Sequence, residues 1–144
     1  MAQPEFAHDA FTEWGHIVEM PVADATAIAV GDLLSYESNL CIVMDGATDD
    51  ATFVGMSLTK KVASDGQVKI RVHIAPVVWI DVTSASYIIG AELKWASSNT
   101  LVASGASNAI GRVVQLDKFG NTTATVSRLK AFLITDKYWR NLSA

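Results

Sequence analysis

The chain has 144 residues, of which half are hydrophobic and 18% are charged, and its formal net charge is −4. This composition supplies a packed core and excludes a disordered chain. The acidic balance argues against nucleic acid as a partner. No basic run exceeds Lys60-Lys61, so a membrane-surface patch is not expected either. The first residues carry Glu5 and Asp9 without an apolar core segment, which is untypical of a signal peptide, and no apolar stretch is long enough for a membrane span.

Residues 1–24 differ from the rest and are predicted to form an extended N-terminal arm. Their aromatic side chains, Phe6, Phe11 and Trp14, show no strand alternation. Ordering such a segment costs conformational entropy, so the rings must be buried against something. The sequence leaves open whether they pack on their own domain or on a neighbouring chain.

From residue 25 to residue 135 the chain reads as short strands separated by turn signals such as Asp65-Gly66 and Ser98-Asn99. The predicted strands are 25–30, 33–36, 40–44, 52–58, 68–74, 77–82, 92–96, 110–116, 122–128 and 131–134. Short strands at this spacing predict an all-β domain, a β-barrel or a β-sandwich. A tail, 136–144, follows, and it contains the only stretch with helical potential.

Two segments of this domain, 30–80 and 89–134, read as copies of one another. In both, glycines follow apolar residues, an alternating strand comes next and an apolar run ends the copy. The paired glycines are Gly31 with Gly90, Gly55 with Gly111, and Gly66 with Gly120. The pattern predicts a fold built from two related glycine-punctuated units, which is an architectural signal rather than a catalytic one.

The ionisable residues form no recognisable catalytic or metal site. His8 and His16 lie near carboxylates but match no zinc spacing, and His73 is an outward residue of an alternating strand. Asp45, Asp49 and Asp50 lack the register of a calcium loop. Cys41 lies in an apolar strand, where a buried, inert thiol is expected. The sequence therefore predicts no enzyme, no metal and no cofactor.

The tryptophans indicate where contacts between chains would form. Trp79 lies in an apolar run and is predicted to be in the core, whereas Trp95 lies on a hairpin and the others are near the termini. Aromatic residues and arginine are enriched in interface cores. The candidate interface residues are Phe6, Phe11, Trp14, Trp95, Tyr138 and Trp139. A ligand-binding aromatic shelf is the alternative, although no polar cluster accompanies these rings.

The segments AVGDLL, FVGMSLT, DGQVKIRVHIAPVVWI, YIIGAELKWASSNTLV and AIGRVVQL together resemble the small capsid decoration (cement) proteins of tailed bacteriophages. The resemblance covers roughly residues 29–129, and it departs from the family where Ala75-Pro76 replaces a common glycine. It implies a β-rich protein on the exterior of the virion, assembled in the host cytoplasm, with the major capsid protein and itself, as a homotrimer, for partners. The alternatives are another virion component, such as a head fibre base or tail tube subunit, and a cellular ligand-binding or enzymatic β-barrel.

Overall fold

The computed structural model describes residues 17–46, 52–74, 77–103 and 109–133. These residues form ten β-strands: β1 (Ile17–Pro21), β2 (Leu33–Glu37), β3 (Leu40–Val43), β4 (Phe53–Ser57), β5 (Lys69–His73), β6 (Val77–Ile88), β7 (Glu92–Ser97), β8 (Thr100–Ala103), β9 (Gly111–Gln115) and β10 (Thr123–Leu133). They make two sheets, one of which closes into a five-stranded barrel. The predicted all-β fold is therefore confirmed.

The first five strands make one sheet in the order β1-β5-β4-β2-β3. Each neighbouring pair in this sheet is antiparallel. An isolated parallel bridge joins Val22, just beyond β1, to Cys41 on β3, so the two edges of the sheet also meet. Meeting edges reduce the number of unpaired backbone groups that an open sheet would expose.

The last five strands repeat this arrangement as a closed barrel. Around the barrel the order is β6-β10-β9-β7-β8, which is the order of the first sheet with each strand number raised by five. The barrel closes through a parallel contact between Val82 and Leu101, at the positions that correspond to Val22 and Cys41 in the first sheet. The two halves of the chain thus have one topology, which we call unit 1 (17–74) and unit 2 (77–133).

The paired glycines occupy matching places in the two units. Gly31 and Gly90 both have positive φ, 94° and 85°, and their amides donate to the carbonyls of Ser57 and Val113. Gly55 and Gly111 lie opposite Leu34 and Leu93, where an added Cβ would press on the backbone of the neighbouring strand. The two glycines of each pair are therefore required for the same reason, positive φ in the first pair and close approach of a neighbouring strand in the second.

This correspondence moves the unit boundaries away from those read in the sequence. Residues 77–80 were assigned to the end of the first copy, but β6 begins unit 2, because it pairs with β10 as β1 pairs with β5. The bounds differ because the glycine spacing marks the interior of each unit and not its first strand. That the two units arose by duplication stays a prediction.

Several predicted strands also differ from the observed ones. β1 lies inside the segment predicted as an arm, and it pairs along its whole length with β5. Residues 25–30 are not a strand but a turn-containing loop with one bridge at Ile28. β8 was missed, and the segments predicted as two strands, 122–128 and 131–134, contribute to one strand, β10 (Thr123–Leu133), with a register irregularity between Val126 and Arg128 that interrupts the alternation.

The two units share a hydrophobic core. Leu33, Met44 and Phe53 from unit 1 belong to the same buried cluster as the inward residues of the barrel. Their sequence neighbours Leu34 and Val54 point the other way and pack in a second cluster within unit 1. Successive strand residues face opposite sides, so both faces of β2 and β4 are covered. This explains why the run Leu33–Ser35 is buried throughout.

A polar contact joins the units beside this shared core. Asn99, in the β7–β8 turn, accepts a hydrogen bond from the backbone N–H of Leu33 at 2.9 Å and donates to Asp32 Oδ1 at 2.9 Å. Leu33 is fully buried. A buried N–H without an acceptor is costly, so the Asn99 side chain holds the start of β2 against the barrel.

Replacing Asn99 with glycine is expected to lower the free energy of unfolding by about 1–3 kcal/mol, because the buried Leu33 amide loses its acceptor. Glycine accommodates the positive φ of this position, 65°, so the turn itself is preserved. Asn39→Gly is the matched control, since Asn39 occupies the corresponding turn with φ 67° and is exposed. Urea unfolding measures both, and equal effects would contradict this assignment.

Candidate interaction surface

Of the residues that the sequence singled out for chemistry, the structure describes Asp45, His73 and Cys41. Asp45 follows β3, whereas His73 ends β5 and has its Nδ1 3.0 Å from the carbonyl oxygen of Ile74. Cys41 is fully buried, as predicted, with its sulfur 3.8 Å from that of Met20, and burial raises its thiol pKa to about 12. Within the described ranges no three His, Cys, Asp or Glu residues cluster as metal ligands would. His8, His16, Asp49 and Asp50 lie outside those ranges.

One lysine is buried, which sequence reasoning did not predict. Lys61 is only 2% exposed, and its ammonium donates to the carbonyls of Asp24 and Val62 at 2.7 and 3.2 Å and to Asp65 Oδ1 at 2.9 Å. The hydrogen bond from Lys61, followed by that from the backbone N–H of Gln67, lowers the pKa of Asp65 to about 2. Lys61 therefore ties the loop after β1 to the β4–β5 connection. These bonds give it a structural role.

An apolar groove lies beside this lysine, on the outside of unit 1. Its lining is Ala27–Val30, Asp32 and Lys60–Ala63. Asp32 accepts from Ala29 N–H and Asn99, and the ammonium of Lys61 is engaged as described, while Lys60 is exposed. Ligand sites combine an apolar lining with polar groups that converge on the ligand. The side chains of Asp32 and Lys61 instead bond to other groups of the protein.

Exposed apolar side chains occupy corresponding loops of the two units. Val30 and Ile89 each precede a positive-φ glycine and are 64% and 42% exposed. Val62 and Phe119 lie in the β4–β5 and β9–β10 connections and are 58% and 77% exposed. We call these pairs the apolar tips, Val30 with Val62 in unit 1 and Ile89 with Phe119 in unit 2. Each unit thus presents apolar surface from the same two loops.

The second exposed apolar region lies on the outer face of the barrel. Val77, Trp79, Val114 and Phe132 are each between 39% and 51% exposed. Val77 pairs with Phe132 and Trp79 with Lys130 across β6 and β10, and the Lys130 ammonium lies 5.9 Å from the Trp79 ring. Val114 is the extra residue where the β9–β10 register shifts. We call these four residues the barrel patch.

The structure describes two of the four tryptophans, Trp79 and Trp95. Trp79 was predicted to be in the core, but it is outward, because Ile80 and Val82 take the inward positions of β6. Trp95 is half-buried and packs against the barrel core. The other candidate interface residues, Phe6, Phe11, Trp14, Tyr138 and Trp139, lie outside the described residues. Sequence reasoning missed the apolar tips, although Val30 and Ile89 carry a signal in their position before a turn glycine.

No protein-family model matches the chain, and no curated protein matches it at a significant level. In the part of the chain that the structure describes, no helix is long and apolar enough to cross a membrane.

Proposed function

We propose that this protein is a structural component of a phage virion, a decoration protein that binds the outer surface of the head and stabilises it. The observation that carries the proposal is the pair of apolar tips, which offer the same kind of contact from two like units. A capsid shell presents many copies of one subunit. A chain with two similar contact loops suits such a repeating surface, because linked weak contacts reinforce one another.

The motif resemblance supports the same proposal. The glycines in the quoted segments each serve the backbone: Gly31 and Gly90 adopt positive φ, and Gly55 and Gly111 allow neighbouring strands to approach. The segments that resemble decoration proteins are thus the segments that build the two units. The buried ammonium of Lys61 bonds to Asp65, which supports a structural function over a catalytic one for this pair.

We propose that the chain forms a closed homotrimer, free in solution or on the shell. Multi-angle light scattering of the purified protein and density on the particle test this. Tail tube subunits polymerise without limit, because a head-to-tail contact that does not close generates a filament. A monomer both in solution and on the head would contradict the trimer. An open polymer would also contradict it and would favour the role of a tail tube subunit.

The aromatic residues of the arm are the proposed contacts with the neighbouring chain. Deleting residues 2–15 spares β1, which begins at Ile17, so both units are expected to stay folded. Each lost ring removes roughly 1.5–3 kcal/mol of contact if it is fully buried, so affinity for the head is expected to fall strongly. Calorimetric titration of heads with both proteins measures the loss.

The variant Phe6→Ser, Phe11→Ser, Trp14→Ser is the matched control for arm length, since it removes the rings and keeps the backbone. It is expected to behave like the deletion. Binding as tight as that of the full chain in both proteins would show that the arm is not a contact. Cooperative thermal unfolding of each variant confirms that the fold is retained.

A further inference from the structure

We infer that the barrel patch is the docking site for the chain's own C-terminal segment, residues 134–144. This docking rests on the patch and not on the virion role, so it can be tested separately from the proposed function. It assigns Tyr138 and Trp139 to a contact within the chain, in place of the contact with another chain that the sequence suggested.

The two units differ in the surface at this place. In unit 2, Val77 pairs with Phe132 and Trp79 with Lys130. The corresponding pairs in unit 1 are Ile17 with His73 and Glu19 with Arg71. The outer face of unit 1 therefore carries an acid opposite a base, as a solvated sheet does. Only unit 2 has an indole and a phenyl ring there.

The path of the chain differs at the same place. After His73 in unit 1 the chain continues within three residues to Val77 and the next strand. After Phe132 and Leu133 in unit 2, eleven further residues follow, with Ile134, Tyr138, Trp139 and Leu142 among them. The extra apolar surface thus lies beside the point from which the extra apolar segment starts.

The length and pattern of this segment fit the patch. Ile134, Tyr138 and Leu142 recur at intervals of four residues. In a helix this spacing would place the three side chains on one face. Lys130, the partner of Trp79, is two residues back along β10 from Phe132, roughly 7 Å. Five residues of chain reach at most about 18 Å, so Tyr138 can return over Phe132 to Trp79.

Attachment to β10 favours docking on the same chain. A tethered segment meets its site at an effective concentration in the millimolar range when the connection is short. The segment of a second copy would have to compete with it. Docking would remove Val77, Trp79 and Phe132 from water, and such burial of apolar surface is the main favourable contribution to the contact.

Disulfide trapping tests the inference directly. Val114→Cys with Tyr138→Cys places one thiol in the patch and one in the segment. Phe119→Cys with Tyr138→Cys is the matched control, because Phe119 is 77% exposed and lies in the β9–β10 connection. The native Cys41 can stay, since it is fully buried.

After mild oxidation of dilute protein, the Val114/Tyr138 pair is expected to give an intrachain disulfide, seen as a fast-migrating monomer on a non-reducing gel. The control pair is expected to stay reduced. Crosslinked dimers, equal crosslinking of both pairs, or no crosslink in either would overturn the inference.

Trp79 provides a second readout that does not require new thiols. A variant with Trp14→Phe, Trp95→Phe and Trp139→Phe retains Trp79 as its only tryptophan and keeps a ring at position 139. Ending this variant after Thr135 is expected to increase acrylamide quenching of Trp79 and to lower the melting temperature. Unchanged quenching would overturn the inference, whether or not the protein binds phage heads.

Discussion

Replacing Gly55 with alanine is expected to destabilise the protein by about 4 kcal/mol or more, in the range reserved for severe backbone and packing conflicts. A Cβ at this position would overlap the backbone carbonyl oxygen of His73 and lie 3.0 Å from Val72 Cγ1. The φ of Gly55, 150°, is also rarely adopted by residues with side chains. Neither obstacle can move cheaply, because β5 is held between β1 and β4.

The matched control is Gly31→Ala. Gly31 also has positive φ, 94°, but no atom lies within 4 Å of the added Cβ. Its cost is therefore the conformational one alone, about 1–2 kcal/mol. Urea unfolding followed by tryptophan fluorescence compares the two. A Gly55→Ala protein as stable as the Gly31→Ala protein would contradict the close approach of β4 to β5 at this position.

Replacing Lys61 with methionine is expected to cost roughly 3 kcal/mol, the lower end of the range for breaking a buried ion pair. The methylene stem keeps its packing, but the carbonyls of Asp24 and Val62 and the carboxylate of Asp65 lose their common donor. The lower end applies because the Asp65 side chain is 29% exposed and water can replace part of the contact. Lys60→Met, one residue earlier and exposed, is the control and is expected to change stability little.

The same contact predicts a dependence of stability on acid. The pKa of Asp65 falls from 3.8 in the unfolded reference to about 2 in the folded protein, mainly through the bond from Lys61. The lowered pKa means that its stabilisation is complete above about pH 4 and is lost as the pH falls toward 2. Asp65→Asn lacks this titration. The urea midpoints of unfolding of the wild-type protein and of Asp65→Asn, measured between about pH 4 and pH 2, should converge as the pH falls. A difference between the two midpoints that stays constant with pH would contradict the role of Lys61.

The sequence was sufficient for the fold class and for most strands of the domain, because alternation and turn residues act locally. The paired glycines pointed to two related units for the same reason. The bounds of the two copies differ from those of the two units, because the first strand of each unit, β1 or β6, contains no glycine and is defined by its distant partner, β5 or β10. Residues 25–30 alternate like a strand, yet they form a loop, which is held by the two backbone hydrogen bonds between Ile28 and Lys61.

The surface was harder to predict, because exposure depends on which neighbours a strand acquires. Trp79 lies in an apolar run that reads as core, and only the pairing of β6 with β10 places it outside. Lys61 reads as half of a solvated basic pair, and its burial results from a loop 37 residues away in the sequence. The apolar tips follow from turn positions that the repeat marked, but their exposure required the fold.

The most direct test of the proposed function is binding to the phage head. Heads assembled from the major capsid protein of the same genome are mixed with increasing amounts of this protein and sedimented. The proposal predicts saturable co-sedimentation at a fixed ratio to the capsid protein, weakened by Phe119→Asp at one apolar tip and unaffected by Ser127→Asp on the exposed side of β10. No binding of the folded protein to heads, in either the compact or the expanded state, would contradict it.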